Sequence, residues 1–282
     1  MLKEYLYLMR WHRPIGFLLL LCPMLWALWI ASSGHPDYKI LIIFILGAFI
    51  MRSAGCVIND IADRRFDGHV ARTKDRPLAR GALTLKQAIL LFVILCLVAL
   101  VLVLQLNLFT IELSLVAILL AMIYPFMKRY THWPQIFLGA AYAWAIPMAF
   151  AAQTNHLPVV AWLVFLTAVL WSIAYDTLYA MVDREDDLKI KLKSTAILFG
   201  KHDRLIIGLL QLLILLLLVY LGWHLRLSII YYGSLVVGAF LFVYQQYLIK
   251  DRNRDACFRA FLNNQWFGLI VFLGIYLSYR HP

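Results

Sequence analysis

The sequence predicts an all-α integral membrane protein with nine transmembrane helices. Of its 282 residues, 63% are hydrophobic and 15% are charged, and the mean hydropathy is +0.80. This composition is far more apolar than that of a soluble domain, so the bilayer is the expected solvent. Hydrophobic runs of spanning length recur along the chain, whereas the alternating pattern of a transmembrane β-barrel does not.

The nine predicted spans follow one another with short connections and form one transmembrane domain, residues 1–282. The first has no small-residue cleavage site and is followed by eight more, which predicts a retained helix and not a signal peptide. The second and sixth each run into an acidic segment, and Lys128 and Arg129 end the fourth. The spans are residues 15–32, 38–58, 86–105, 108–127, 134–152, 158–180, 205–223, 227–248 and 261–279.

The positive charge is distributed as expected for a membrane protein whose N-terminus is cytoplasmic. Of the 26 Lys and Arg, 22 lie in the N-terminal segment and in the loops at 59–86, 128–133, 181–204 and 249–260. This is the positive-inside asymmetry, and it explains most of the net charge of +11 without a nucleic-acid partner. The remainder is suited to anionic membrane lipid or an anionic substrate. We expect a bacterial inner membrane, with the active face in the cytoplasm.

Two acidic motifs stand at the cytoplasmic ends of the second and sixth spans. At 100° per residue, Asn59, Asp63 and Asp67 form one stripe on a helix, and Arg52 continues that stripe one layer deeper. A comparable stripe on the sixth helix is formed by Asp176, Asp183 and Asp187. Ionised groups that faced lipid would lack partners, so we expect both stripes to face the interior of the bundle.

The matched acids predict a metal site that binds a diphosphate. Charges at helix ends are often only interfacial, but the four-residue spacing in two matched places favours a shared ligand. Carboxylates without clustered Cys or His suit Mg²⁺, which is usually held between aspartates and substrate phosphates. Lys128, with Tyr124 one turn away, and Arg72 are candidates for phosphate contacts. An arginine within an apolar helix needs a partner. For Arg52 the partner is either a nearby Asp or, as we favour, the carboxylate of a small substrate.

Further sequence strings accompany the acidic motifs, and together they carry a family resemblance. They include Arg13-Pro14, Gly68-His69-Val70, Arg76-Pro77-Leu78, Tyr124-Pro125, Tyr175-Asp176-Thr177 and Lys193-Ser194-Thr195-Ala196. Over nearly its full length the chain resembles the UbiA superfamily of membrane prenyltransferases. Within that superfamily it is most similar to the branch that acts on 4-hydroxybenzoate in bacterial ubiquinone biosynthesis.

The resemblance implies a helical bundle around a central cavity, which loops at about 68–85 and 188–203 cap on the cytoplasmic side. It also implies Mg²⁺-dependent transfer of a polyprenyl group from polyprenyl diphosphate to the 3-position of 4-hydroxybenzoate, with release of diphosphate. Arg52 would meet the acceptor's carboxylate, and Asp176 or Asp183 would orient its phenol. The donor's diphosphate would be supported by Arg72, Tyr124 and Lys128, and the Mg²⁺ ligands would be Asn59, Asp63, Asp67, Asp183 and Asp187.

Two alternative functions remain at this stage. A related prenyltransferase could use another acceptor, such as a naphthoate, haem or homogentisate. A cation-coupled transporter could also use intramembrane acids, but it should place them near the midplane with access from both sides. Here the acids cluster on one side, which favours the enzyme.

Overall fold

The structure is a computed structural model, and it describes residues 1–64, 67–69 and 73–281. Within these ranges the chain forms α-helices, two short 3₁₀ segments and connecting turns. The helices are α1 (Leu2–Leu8), α2 (Ile15–Ala31), α3 (Tyr38–Asp63), α4 (Leu85–Val103), α5 (Leu108–Tyr130), α6 (Pro134–Ala143), α7 (Ala145–Thr154), α8 (Val159–Lys189), α9 (Thr195–Phe199), α10 (Asp203–Leu225), α11 (Ile229–Leu248) and α12 (Arg254–Arg280).

The all-α membrane architecture is confirmed, and each predicted span falls largely on helical residues, the fifth on two consecutive helices. Eight helical segments of the described chain are long and apolar enough to cross a bilayer. The predicted first span corresponds to α2, which has 17 residues and therefore lies at the lower limit of spanning length. The count of nine is accordingly approximate.

Three local features differ from the sequence prediction. The N-terminal segment forms a helix, α1. The fifth span is divided into α6 and α7 at Trp144, because Pro147 lacks an N–H and its ring clashes with the carbonyl four residues earlier. The expected loop at 188–203 is largely helical, since α8 continues to Lys189 and Ser194 caps α9 by accepting from the Ile197 amide at 3.3 Å.

Helices α2, α8 and α12 form the centre of the bundle, and contacts with the other two fix the position of α8. Trp26 of α2 and Trp171 of α8 are buried and stacked, with ring centroids 5.5 Å apart. The Trp26 indole donates to the Gly268 carbonyl of α12 at 3.0 Å, so its buried N–H is satisfied. A Cβ at Gly268 would lie 2.7 Å from Trp171, so this close approach of α12 requires glycine.

The end of α8 is held from two further sides. Asp203, at the start of α10, is fully buried and accepts hydrogen bonds from Arg184 of α8 and from Arg252, whose nearest nitrogen is 2.8 Å away. Arg254 of α12 pairs with Glu185 at 2.7 Å. These contacts use faces of α8 other than the one that carries Asp183, and they therefore fix the rotation of the acidic stripe. We call the end of the bundle where α3 and α8 finish the polar end.

Candidate functional site

A polar cavity of about 280 Å³ lies at the polar end, and we call it the charged cavity. The two acidic motifs, which are more than 100 residues apart in sequence, both line it. Its acidic lining residues are Asp63, Asp67, Asp176, Asp183 and Asp187, with the amide of Asn59 beside them. Its basic lining residues are Arg10, Arg13, Arg52, Arg76, Lys128 and Lys193. The structure thus brings the predicted acids together, and it surrounds them with cations.

Asp63 has one satisfied and one unsatisfied carboxylate oxygen. The side chain is buried at the last position of α3, and Lys128 of α5 donates to its Oδ2. Its Oδ1 is buried with no hydrogen-bond partner among the described residues. Leaving a charged acceptor unsatisfied costs a few kcal/mol as an order of magnitude, so this oxygen favours an additional cation or donor.

Asp67 reaches the charged cavity in a different way from the one predicted. The predicted stripe requires one continuous helix through residue 67, whereas α3 ends at Asp63 and Asp67 begins a 3₁₀ segment, Asp67–His69. Arg76 donates to both of its carboxylate oxygens, at 3.0 and 2.9 Å. Burial raises the pKa of the Asp67 carboxyl, and Arg76 opposes that rise. Asp67 is therefore positioned by its contact with Arg76 of the following loop, and not by a continuation of helix α3.

Asp60 is a functional candidate that the sequence reasoning missed. It is 1% exposed, does not line the charged cavity, and pairs with Arg10 at 2.5 Å and with Arg76 at 3.0 Å. Asp60 thereby links the segment after α1 to the loop that follows α3. An acid inside the last turn of an apolar helix needs a partner, and this signal could have identified it. Asp60 lies about 100° away from Asn59 around the helix and is therefore not part of the predicted stripe.

Arg52 carries a positive charge that no carboxylate neutralises among the hydrogen bonds and ion pairs of the described residues. Its Nη1 donates to the Met9 carbonyl at 3.1 Å and to the Cys56 thiol, and its Nη2 donates to the Arg13 carbonyl at 3.4 Å. Its Nε is buried and has no hydrogen-bond partner within the part of the chain that the structure describes. An arginine within a membrane-spanning helix that has only neutral partners is suited to bind an anion.

A second cavity, of about 400 Å³, lies between α3, α4 and α5, and we call it the apolar chamber. Leu97 and Leu100 of α4 line it and are also more than 40% exposed on the outer surface of the bundle. Arg52, Tyr124 and Tyr142 line both the charged cavity and the apolar chamber. The two spaces therefore adjoin at these residues, and Tyr142 is a junction residue that the sequence did not predict.

The remaining predicted residues are divided between the site and the undescribed part of the chain. Tyr124 donates from its hydroxyl to the Gly55 carbonyl of α3 at 3.3 Å. Lys128 is tied to the connection after α8, because its backbone carbonyl accepts from the Lys193 amide at 2.9 Å. Arg72 lies outside the described residues.

The oxygen-rich lining fits a hard divalent cation. Within the described ranges, no three His, Cys, Asp or Glu side chains are already grouped closely enough to hold a metal ion. The buried Asp63 Oδ1, which has no hydrogen-bond partner among the described residues, is nevertheless suited to bind a cation. The carboxylates and the Asn59 amide that line the cavity supply the oxygen ligands that Mg²⁺ prefers. The residues present are therefore compatible with Mg²⁺.

Comparisons with known proteins identify the family of the chain. Residues 20–272 match the UbiA prenyltransferase family. The chain belongs to the UbiA prenyltransferase family. It is 60% identical to a 4-hydroxybenzoate octaprenyltransferase from Vibrio parahaemolyticus over 98% of both chains. It is 61% identical to a protein of the same name from Alkalilimnicola ehrlichii, over 98% of this chain and 94% of that protein.

Solved structures of UbiA homologues share the fold. The apo structure of a homologue from Aeropyrum pernix K1 aligns with a TM-score of 0.81 at 22% identity, over 93% of this chain and 98% of that one. A homologue from Archaeoglobus fulgidus bound to GPP and Mg²⁺ aligns with a TM-score of 0.73 at 16% identity, over 96% and 99%. This UbiA family member is thus a multi-pass membrane prenyltransferase.

The ion pairs of Asp60 predict that it holds the loop after α3 in place. In Asp60→Asn, Arg10 and Arg76 lose their shared buried counter-charge, and we expect hydrogen exchange of residues 73–84 to rise by about 10-fold or more. Glu4→Gln is the matched control, because its pair with Arg80 reaches the same loop from the exposed surface. It should change exchange little. Equal exchange in both variants would contradict the assignment to Asp60.

Proposed function

We propose that this prenyltransferase moves a polyprenyl group from polyprenyl diphosphate to the 3-position of 4-hydroxybenzoate, in the pathway to ubiquinone. The observation that carries the proposal is the junction between the charged cavity and the apolar chamber. One space suits a diphosphate and the other suits a long hydrocarbon, and a polyprenyl diphosphate contains both. Relatives named 4-hydroxybenzoate octaprenyltransferase, at 56–61% identity, support the choice of acceptor.

The charged cavity is the proposed site of the donor's diphosphate. Bound Mg²⁺ would neutralise charge on the departing diphosphate and so ease cleavage of the allylic C–O bond. Lys128 would orient the diphosphate from α5, with Tyr124 one turn away and Arg72 from the loop after α3. The residues proposed to hold the ion are Asn59, Asp63, Asp67, Asp183 and Asp187, all of which line the cavity.

The apolar chamber is the proposed site of the polyprenyl chain. Its lining is almost entirely aliphatic and aromatic, and part of it faces the lipid phase between α4 and α5. A long chain held there would place its first carbon at the junction, beside Tyr124 and Tyr142. Aromatic faces stabilise nearby positive charge, so these rings would favour an electron-poor allylic carbon.

Arg52 is the proposed anchor of the acceptor. Its guanidinium would bind the carboxylate of 4-hydroxybenzoate and aim the aromatic ring at the junction. The ring carbon next to the one that carries the hydroxyl then bonds to the allylic carbon, and the C–O bond to diphosphate breaks. The same ring carbon then loses its proton. Asp176 or Asp183 would orient the phenol, since both acids line the same cavity.

A first prediction concerns the metal. Activity should require Mg²⁺ or Mn²⁺ and disappear with chelator, and it should return when the ion is restored. Asp63→Ala or Asp183→Ala should abolish turnover while the protein remains folded, measured by product mass and by thermal unfolding in detergent. As a matched control, Asp251→Ala removes an exposed acid outside the cavity and should retain activity. Full turnover in chelator would refute the proposed role of the ion.

A second prediction separates the acceptor from the donor. Arg52→Ala should raise KM for 4-hydroxybenzoate by roughly 10- to 100-fold, the value of a charge-assisted hydrogen bond, and leave KM for the prenyl diphosphate little changed. Lys128→Ala should show the opposite pattern. The measurement is a pair of substrate titrations on each variant. If Arg52→Ala weakens only the donor, the assignment of Arg52 to the acceptor is wrong.

We also propose that the polar end faces the cytoplasm of a bacterial cell, because most Lys and Arg lie at that end. In a background with the four native cysteines replaced, Lys74→Cys should react with an impermeant thiol reagent only from the cytoplasmic side. His156→Cys, in the connection after α7, should react only from the opposite side. Both positions are exposed in the structure. Labelling of both from one side would exclude this orientation.

A further inference from the structure

Gly16 lies in the first turn of α2 and lines the charged cavity directly beside Arg52. A Cβ at this position would lie 2.7 Å from Arg52 Nη2 and 2.8 Å from its Nε. Non-bonded heavy atoms normally pack at about 3.5–4.0 Å. Any side chain at residue 16 would therefore displace the guanidinium.

The same short stretch of chain supplies two further contacts of Arg52. The carbonyls of Met9 and Arg13 accept from its Nη1 and Nη2. Residues 9–16 thus form a seat in which two carbonyls hold the guanidinium and the missing side chain of Gly16 leaves room for it. None of the sequence strings that carry the family resemblance includes this glycine.

We propose that Gly16 is a positioning residue that sets acceptor specificity by keeping the Arg52 guanidinium at the junction of the charged cavity and the apolar chamber. The inference rests on the proposed function, in which Arg52 binds the acceptor's carboxylate. If the guanidinium is displaced, it no longer holds the acceptor's carboxylate at the junction. The enzyme then loses its preference for an anionic acceptor.

The effect of a substitution at Gly16 falls on the site and not on the fold. The atoms that must move belong to the end of a flexible side chain, and no backbone atom lies among the nearest contacts. Alanine is also a better helix former than glycine. Gly16→Ala should therefore retain the thermal stability of the parent protein while it shifts Arg52.

The test compares 4-hydroxybenzoate with the neutral analogue 4-hydroxybenzamide in the Mg²⁺-loaded enzyme. We expect Gly16→Ala to reduce the preference for the acid, measured as the ratio of kcat/KM values, by about 10-fold. The matched control is Gly233→Ala in α11, where an added Cβ meets no atom within 4 Å. The control should keep the parent ratio. If Gly16→Ala keeps the same ratio of kcat/KM values as the parent protein, the proposal is overturned.

A double variant shows whether Gly16 acts through Arg52. Gly16→Ala in the Arg52→Ala background should cause no additional loss of preference, because the displaced group is already absent. Independent, additive losses would overturn the proposal. If Arg52→Ala itself keeps the parent preference, the proposed function fails instead. Gly16→Ser is a second steric variant, and loss of the folded protein in both variants would assign Gly16 to packing and overturn the inference.

Discussion

The burial of carboxylates at one end of an apolar bundle is the constraint on which this structure depends. A buried charge costs several kcal/mol unless a partner compensates it. The most deeply buried acids at the polar end are each paired with a cation from another element: Asp60 with Arg10 and Arg76, Asp63 with Lys128, Asp67 with Arg76, and Asp203 with Arg184 and Arg252. The N-terminal segment, the loop after α3, and α5 are therefore drawn to the same site by charge.

The charge compensation is complete for the carboxylate of Asp203 and incomplete for Asp63 and Arg52. Asp203 accepts hydrogen bonds at both carboxylate oxygens and does not line the charged cavity. Asp63 keeps one buried oxygen without a partner, and Arg52 has no carboxylate among its hydrogen-bond partners in the described chain. Both incomplete groups line the charged cavity. At these two residues an uncompensated charge therefore lies where a ligand of opposite charge is proposed to bind.

Features that depend on local pattern could be predicted from the sequence, whereas those that depend on distant contacts could not. Hydropathy alone locates the membrane-spanning helices, and four-residue spacing places Asp183 and Asp187 on one face. The break at Trp144 was also accessible, since Pro147 marks it. Asp60 is different, because its partner Arg10 is 50 residues away and no local pattern connects them. Tyr142 enters the site through the packing of α6 against α5 and α8, and Gly16 through the packing of α2 against α3.

The division into a charged and an apolar space also explains how the proposed reaction would avoid water. An electron-poor allylic carbon reacts with any nucleophile it meets, so its surroundings decide the product. In the proposed arrangement the diphosphate would be surrounded by the polar groups of the cavity, while the hydrocarbon would lie in a chamber that has few polar atoms to hold water. Only the junction, at Arg52, Tyr124 and Tyr142, contacts both. An acceptor anchored there by its carboxylate is therefore the nucleophile that the reacting carbon meets first.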